Sequence, residues 1–299
     1  MSSSFPSVVP AVVPSLRGRI GHDARSGFYP ASHRYRLHLA LSCPHGLQIA
    51  VTHSLLGLDE ILPVTLLPAL PDAGGDGYLA LRPLYEASSH QHPGPAKAPL
   101  LSDGWSGRIV STDPAEILTD LARRFRGPDL YPRGAESAID TVALLCERSI
   151  DAPAQCAGRA DTGTAVREAA LRVLVEGLAL IERRLEGRDH LLGEEPTLAD
   201  VRLWATLVQL DTVHRWHLDA TAVHRIADHP RVWAYARRLA GHPAFGRHLD
   251  LDGIALRHHS RCLGKEAAGA AMQIVDWAEH AHPLVRQQVD DPAGGRRAR

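Results

Sequence analysis

An α/β domain followed by an all-α domain is the fold class that the sequence predicts, and a single change of periodicity carries most of the prediction. Between Tyr35 and Val110 the apolar residues fall in short runs, one of them strictly alternating, separated by one helical stretch and by Pro- and Gly-rich connections. Beyond Arg126 they recur every three or four positions through 135–150, 165–186, 198–214 and 230–240, which is the spacing of helices alone.

The elements follow in order. Tyr35, Leu37, Leu39 and Leu41 alternate with Arg36, His38 and Ala40, so a strand runs directly into Ser42, Cys43 and Pro44. From Pro44 to Leu56 the residues Leu47, Ala50, Val51, Ser54 and Leu55 recur at helical spacing, and Gly57 stops them. Ile61 to Leu67 reads as a second strand, followed by a loop from Pro68 to Gly77 and a polar insert. A third strand is entered through Ala98 and Pro99, a turn falls at Asp103 and Gly104, a fourth strand lies around 108–110, and a helix spans Asp113 to Phe125. Strand, helix, strand, long connection, hairpin, helix is the order of a thioredoxin-like domain. In the second half, Thr197-Leu-Ala-Asp200 opens the longest apolar helix as a capping box, a folding signal rather than an active site. The chain thus divides into a flexible extension (1–25), a thioredoxin-like domain (26–126), an all-helical domain (127–265), and a C-terminal helix with a flexible tail (266–299).

The totals set bounds on function. At 299 residues there is room for two cores. Lys plus Arg is 33 against 34 for Asp plus Glu, so no net field favours nucleic acid or an anionic membrane. No apolar run approaches the roughly 20 residues of a spanning helix, and the first residues lack a signal peptide's pattern, so the expected location is the cytoplasm. The four cysteines lack paired metal-ligand spacing and read as free thiols. The 18 histidines are an excess for this length.

Cys43 carries the chemistry. A cysteine is nucleophilic as thiolate, and unpaired N–H groups at a helix N-terminus stabilise that anion; Pro44 suits the first turn, where its missing N–H has no helical partner. The competing reading is a small buried core cysteine. Ala98 and Pro99 are candidates for a cis peptide whose preceding residue offers its backbone to an extended ligand, against an ordinary strand-initiating proline. At Ser111, Thr112 and Asp113 a helix start could hold a carboxylate, or be capped by Thr112 or Asp113; both can hold at once.

Several segments together resemble the glutathionyl-hydroquinone reductases, or Xi-class glutathione transferases. They are Gly-Phe-Tyr-Pro-Ala at 27–31, Arg-Tyr-Arg-Leu-His-Leu-Ala-Leu-Ser-Cys-Pro at 34–44, Asp-Leu-Tyr-Pro at 129–132, Thr-Leu-Ala-Asp-Val-Arg-Leu at 197–203 and Arg-Ile-Ala-Asp-His-Pro-Arg-Val-Trp-Ala-Tyr at 225–235. The resemblance implies the glutathione transferase fold, a homodimer, and reduction of glutathionyl-hydroquinones through a mixed disulfide. Carried over, Cys43 is the thiolate that attacks sulfur, Ala98 with Pro99 the backbone clamp, and Asp113 with Pro114 the floor for the glutamyl end of glutathione. The departures cluster at the site. His45 stands where the family has Trp, Asp113-Pro114 where it has Glu-Ser, and His214 with the segment Arg257-His258-His259 where it has tyrosines.

Imidazole near pKa 6.5 exchanges protons at working pH where a tyrosine hydroxyl does not, so His45, His214 and His258 join Cys43 as candidate catalytic groups, although any single histidine can equally be a surface or core residue. His45 is expected one turn into the helix, orienting or protonating. His214 with His217, and His258 with His259, could approach an ion, but no HExxH-type motif supports one and adjacent histidines diverge on a helix, so no metal is expected. Three readings stay open: a thiol-dependent enzyme using glutathione or another small thiol on a quinone-like or other electrophilic molecule, a tailoring enzyme on the same fold using Cys43 and histidines for acid/base or lyase chemistry without glutathione, and a binding protein with an eroded site.

Overall fold

The computed structural model describes residues 16–262 and 272–280. Four strands form one sheet in the order β2-β1-β3-β4: β1 (Tyr35–Leu39), β2 (Val64–Leu66), β3 (Leu100–Asp103) and β4 (Arg108–Ser111). β2 runs parallel to β1, with Leu37 opposite Val64, while β3 is antiparallel to both β1 and β4. The parallel pair needs a crossover, and α1 (Pro44–Leu55) supplies it. Leu47, Ile49, Ala50 and Val51 of α1 are all buried because the helix is covered on two sides, by α3 (Pro114–Arg124) and by α7 (Leu198–Thr212).

The insert between β2 and β3 contains a helix that the sequence did not suggest, α2 (Arg82–Ser88), opened by Pro83 and pinned by buried Tyr85, whose hydroxyl donates to the Lys97 carbonyl at 2.9 Å. Only one large side chain of this short helix is buried, too little to make a visible stripe. Residues 16–25, placed in the flexible extension, instead pack on the sheet domain. Arg17 bridges Ser111 at the free edge of β4, Ile20 is buried, and Arg19 pairs with the buried Asp120 at 2.6 Å. The edge strand offers unpaired backbone groups and the segment satisfies them.

From Glu136 on, the regular elements among the described residues are all helical: α4 (Glu136–Leu145), a π-helical turn (Cys146–Asp151), α5 (Ala152–Gly158), α6 (Thr164–Arg184), α7, α8 (Ala220–Ala227), α9 (Pro230–Ala240), α10 (Pro243–Gly246) and α11 (Leu251–Cys262). A 3-10 turn, His214–His217, follows α7. The helix expected over 135–150 widens at Cys146 because Pro153 removes a backbone donor downstream. The longest helix is α6 with 21 residues; α7 is shorter but almost wholly buried, and its capping box at Thr197 and Asp200 is formed. The Asp200 carboxylate also accepts from the Leu191 N–H at 2.9 Å and the Tyr235 hydroxyl at 2.9 Å, so this buried acid is a structural hub.

The C-terminal helix and tail expected over 266–299 lie outside the described residues except for 272–280. There Ile274, Val275 and Trp277 donate to the fully buried Asp211, the Trp277 indole at 2.9 Å. Asp211 also holds Arg215 at 3.1 Å, which fixes the turn that carries His214 and His217. One apolar core runs from the sheet through α1 into the helices, and no helix among the described residues is long and apolar enough to cross a membrane.

Candidate active site

Cys43 is the N-cap of α1, in extended conformation, and Pro44 fills the first helical position. Its backbone N–H turns back to the Ala40 carbonyl at 3.1 Å. Gly46 makes this tight return possible, since a Cβ there would stand 2.2 Å from the Ala40 oxygen. Burial pushes the Cys43 thiol up. Hydrogen bonds from the His45 ring and the Gly46 N–H, with the charges of His45 and Arg257, outweigh it and bring the thiol down to about 7. The helix start therefore favours the thiolate as expected, but His45 is the second helical residue, not one turn in, and reaches back over Pro44 to the sulfur.

The Ala98–Pro99 peptide is cis. Cys43 and Ala98 pack against one small cluster that includes Ala40, Tyr78 and Tyr85, so the thiol and the residue preceding the cis proline share a wall. Asp113 caps α3, accepting the Glu116 N–H at 3.0 Å with one oxygen and meeting Arg17 at 2.9 Å with the other. Both carboxylate oxygens thus have intramolecular partners, and Pro114 at the first helical position adds no N–H.

Beside the thiol lies a cavity of about 1270 Å³, walled by Pro44, His45, Asp113 and Pro114 from the sheet domain and by His214, His217, Arg257 and His258 from the helical domain. Six of the eight candidate residues thus come together, counting Cys43 through its neighbours Ser42 and Pro44; Ala98 packs on the same small cluster as Cys43, and neither it nor Pro99 is among the residues that line the cavity. His214 lies on the cavity wall as expected, but its charge state is set by its surroundings. Burial, with the charges of His217 and His258, holds its imidazole down to about 4, which favours the neutral ring near pH 7 and makes it a poor proton donor. His258 is buried, with its Nε2 2.9 Å from Nε2 of His217.

Three residues that the sequence did not single out complete the site. Arg257, on α11, reaches the Ala69 carbonyl at 3.3 Å and the Tyr78 hydroxyl at 3.2 Å, bringing a cation to the thiol from the other domain. Asp151, on the π-helical turn, faces the cavity; burial raises its carboxyl to about 6 against the pull of Arg202 and a hydrogen bond from Thr206. Gln48 lines the cavity with a buried side-chain oxygen that has no partner among the described residues. The π-helical widening at Asp151, a feature frequent at functional sites, is signalled only by Pro153.

Two further motifs of the family resemblance have structural roles. Arg34 is buried against Asp103 at 2.9 Å and stacks on Phe28, Tyr29 and Trp105, which accounts for the segment 27–31. His229, at the N-cap position of α9, sets its ring Nδ1 3.1 Å from the Ile226 carbonyl, and the Trp233 indole donates to the same carbonyl at 3.0 Å, which accounts for the segment 225–235.

The family described as "Glutathione S-transferase, C-terminal domain" matches residues 164–238. The glutathionyl-hydroquinone reductase YqjG of Escherichia coli is 29% identical over 93% of this chain and 87% of its own length. The crystal structure of the Xi glutathione transferase of Phanerochaete chrysosporium superposes with a TM-score of 0.70 at 26% identity, over 82% of this chain and 90% of that one. The glutathione-bound structure of YqjG superposes equally well, with a TM-score of 0.70 at 25% identity over 82% and 89%. The chain is therefore similar over most of its length to the Xi-class glutathione transferases and glutathionyl-hydroquinone reductases, and it has the glutathione transferase fold, a thioredoxin-like domain joined to an all-helical one.

Proposed function

We propose that this chain is a glutathione-dependent thiol enzyme that removes a glutathionyl group from a quinone-like substrate through Cys43. The observation that carries the reading is the Cys43 thiol at the head of α1, brought to about 7 by His45, the Gly46 N–H and Arg257 on the edge of a cavity large enough for an aromatic conjugate. The relatives' names, glutathionyl-hydroquinone reductase among them, and the glutathione-bound neighbour support the choice of thiol and substrate class.

In the first step the Cys43 thiolate attacks the glutathionyl sulfur of the keto tautomer of the conjugate. A disulfide forms, the ring C–S bond breaks, and its electron pair passes to the ring carbon, which takes a proton. Asp151, protonated in part because burial holds it near 6, is the cavity group suited to give that proton. In the second step a glutathione thiolate attacks the mixed disulfide on its glutathionyl sulfur, releasing glutathione disulfide and the Cys43 thiolate. The ring is reduced and one glutathione is oxidised. Ala98, next to the cis proline, offers backbone groups to the peptide part of glutathione.

A homodimer and a cytoplasmic location belong to the same reading. Val166, Val173 and Leu180 are exposed on α6 at seven-residue intervals, one apolar stripe along the helix, and a second copy of the chain would cover it. The test of the chemistry is intact-protein mass after incubation with glutathione disulfide. One adduct on Cys43, reversed by glutathione, is expected; no adduct on a protein whose Cys43 still reacts with iodoacetamide overturns the reading.

A further inference from the structure

The cavity wall built by α11 and the His214–His217 turn carries side chains that the thiol chemistry leaves unused. Nε2 of His217 and Nε2 of His258 lie 2.9 Å apart, and one ligand atom from each of His217, His258 and Cys262 fits within a mutual separation of 4.8 Å. All three residues line the cavity. Their meeting is built by packing. His258 and Cys262 stand four apart on α11, so they share a face one turn from each other. His217 comes from a separate element, set by the Asp211–Arg215 pair and by close approach to Gly158, where a Cβ would stand 2.7 Å from the His217 Cβ.

We propose that His217, His258 and Cys262 bind a divalent transition-metal ion of the zinc class in the cavity wall, leaving a coordination position for a ligand from the cavity. Two imidazoles and a thiolate are a donor set for zinc, cobalt or copper and not for magnesium or calcium, which take oxygen. The geometry is near what such an ion requires. With metal–nitrogen bonds of about 2.0 Å and a metal–sulfur bond of about 2.3 Å, tetrahedral donors sit roughly 3.3 to 3.6 Å apart. The two ring nitrogens therefore open by a few tenths of an ångström as the ion replaces the hydrogen bond between them, and the thiol closes by about 1 Å. Each imidazole keeps one proton, carried on Nδ1, and the Cys262 thiol gives up its own. The neighbouring cations are engaged elsewhere: Arg261 on Asp76 at 2.7 Å, Arg257 on Tyr78 at 3.2 Å.

This site is separate from the thiol of Cys43, and the test keeps them apart. Full-length protein, stripped with a chelator, is titrated with Co²⁺ alone and followed by absorption. One equivalent is expected to raise a thiolate-to-cobalt charge-transfer band with the visible bands of four-coordinate cobalt. Cys262→Ser removes the charge-transfer band, His258→Ala weakens binding tenfold or more, and Cys43→Ser leaves both unchanged. No charge-transfer band in the wild type, a band that survives Cys262→Ser, or one that is lost in Cys43→Ser overturns the proposal. X-ray absorption of the zinc-loaded wild type needs no variant to fold: one sulfur at about 2.3 Å with nitrogens at about 2.0 Å is expected, and a shell without sulfur refutes the site.

Discussion

His45→Ala isolates what the side chain next to Pro44 does for the thiol. In the wild type the Cys43 thiol stands at about 7, so about half is thiolate at pH 7. His45 supplies both a hydrogen bond and a positive charge, while burial pushes the other way; without His45 the thiol returns toward its ordinary 9.0, where about 1% is thiolate at pH 7. The loss is not the full fifty-fold. A more basic thiolate is a better nucleophile, and with a Brønsted slope of about 0.45 the change makes each thiolate about eight times faster. Alkylation of Cys43 by iodoacetamide is therefore expected to fall about six-fold at pH 7 and to rise about eight-fold at pH 10, with the two pH–rate curves crossing between. The rates are read by mass spectrometry of the Cys43 peptide, with Cys156 as internal reference. A purely steric role for His45 predicts curves of the same shape displaced by a constant factor. Curves that do not cross refute the electrostatic account.

Other expectations follow from the same geometry. Pro114→Ser restores a hydroxyl and an N–H at the head of α3; a single hydrogen bond to a carboxylate is worth about 1.5 kcal/mol, so the KM for glutathione should fall about tenfold with kcat little changed in steady-state kinetics. An unchanged KM would show that the glutamyl end is held elsewhere. Asp151→Asn tests the buried carboxyl. Its folded value of about 6 lies above the ordinary 3.8, so its contribution is fully favourable below about 4 and is lost as pH rises through 6. The variant should match the wild type in urea unfolding at pH 4 and exceed it by about 2 kcal/mol at pH 8, while turnover drops. Equal differences at both pH values would remove the ionisation argument. Leu180→Glu, in the exposed stripe of α6, should convert a dimer to a monomer in light scattering, and an unchanged mass would place the interface elsewhere.

What was legible in the sequence is what is local. The alternation through Tyr35–Leu41, the Cys-Pro junction and the capping box at Thr197 each specify their own few residues, and each appears at its place in the structure. Pairings between distant segments were not legible. Arg257 lies more than two hundred residues from the thiol it helps to ionise, and although the resemblance draws attention to the segment Arg257-His258-His259, nothing there points to the arginine as the thiol's partner. The segment at 16–25 lacks periodicity because it is held through its backbone at the edge of β4 and through Arg19, not through an apolar face. His214 shows a subtler limit of the sequence. Its residue type is right for the cavity, but its protonation is a property of burial and neighbouring charge, and those exist only after α7, α5 and α11 have packed.

That distinction bears on how the histidines that replace the family's tyrosines are to be understood. As independent acid/base groups they would each have to gain a proton near neutrality, and His214 does not until about pH 4. Crowding works against it: burial and positive charge on His217 or His258 raise the cost of a proton on His214. An imidazole held neutral, as His214 is, is poorly suited to donate protons. The thiol end of the cavity shows the reverse arrangement, with Arg257, His45 and the head of α1 all favouring negative charge on Cys43. The two ends are tied by one helix, since Arg257 and His258 are consecutive on α11, one serving the thiol and the other the imidazole cluster. A shift of α11 would therefore alter both sites together, and the pH–rate curve of Cys43 measured with and without Co²⁺ reports whether it does.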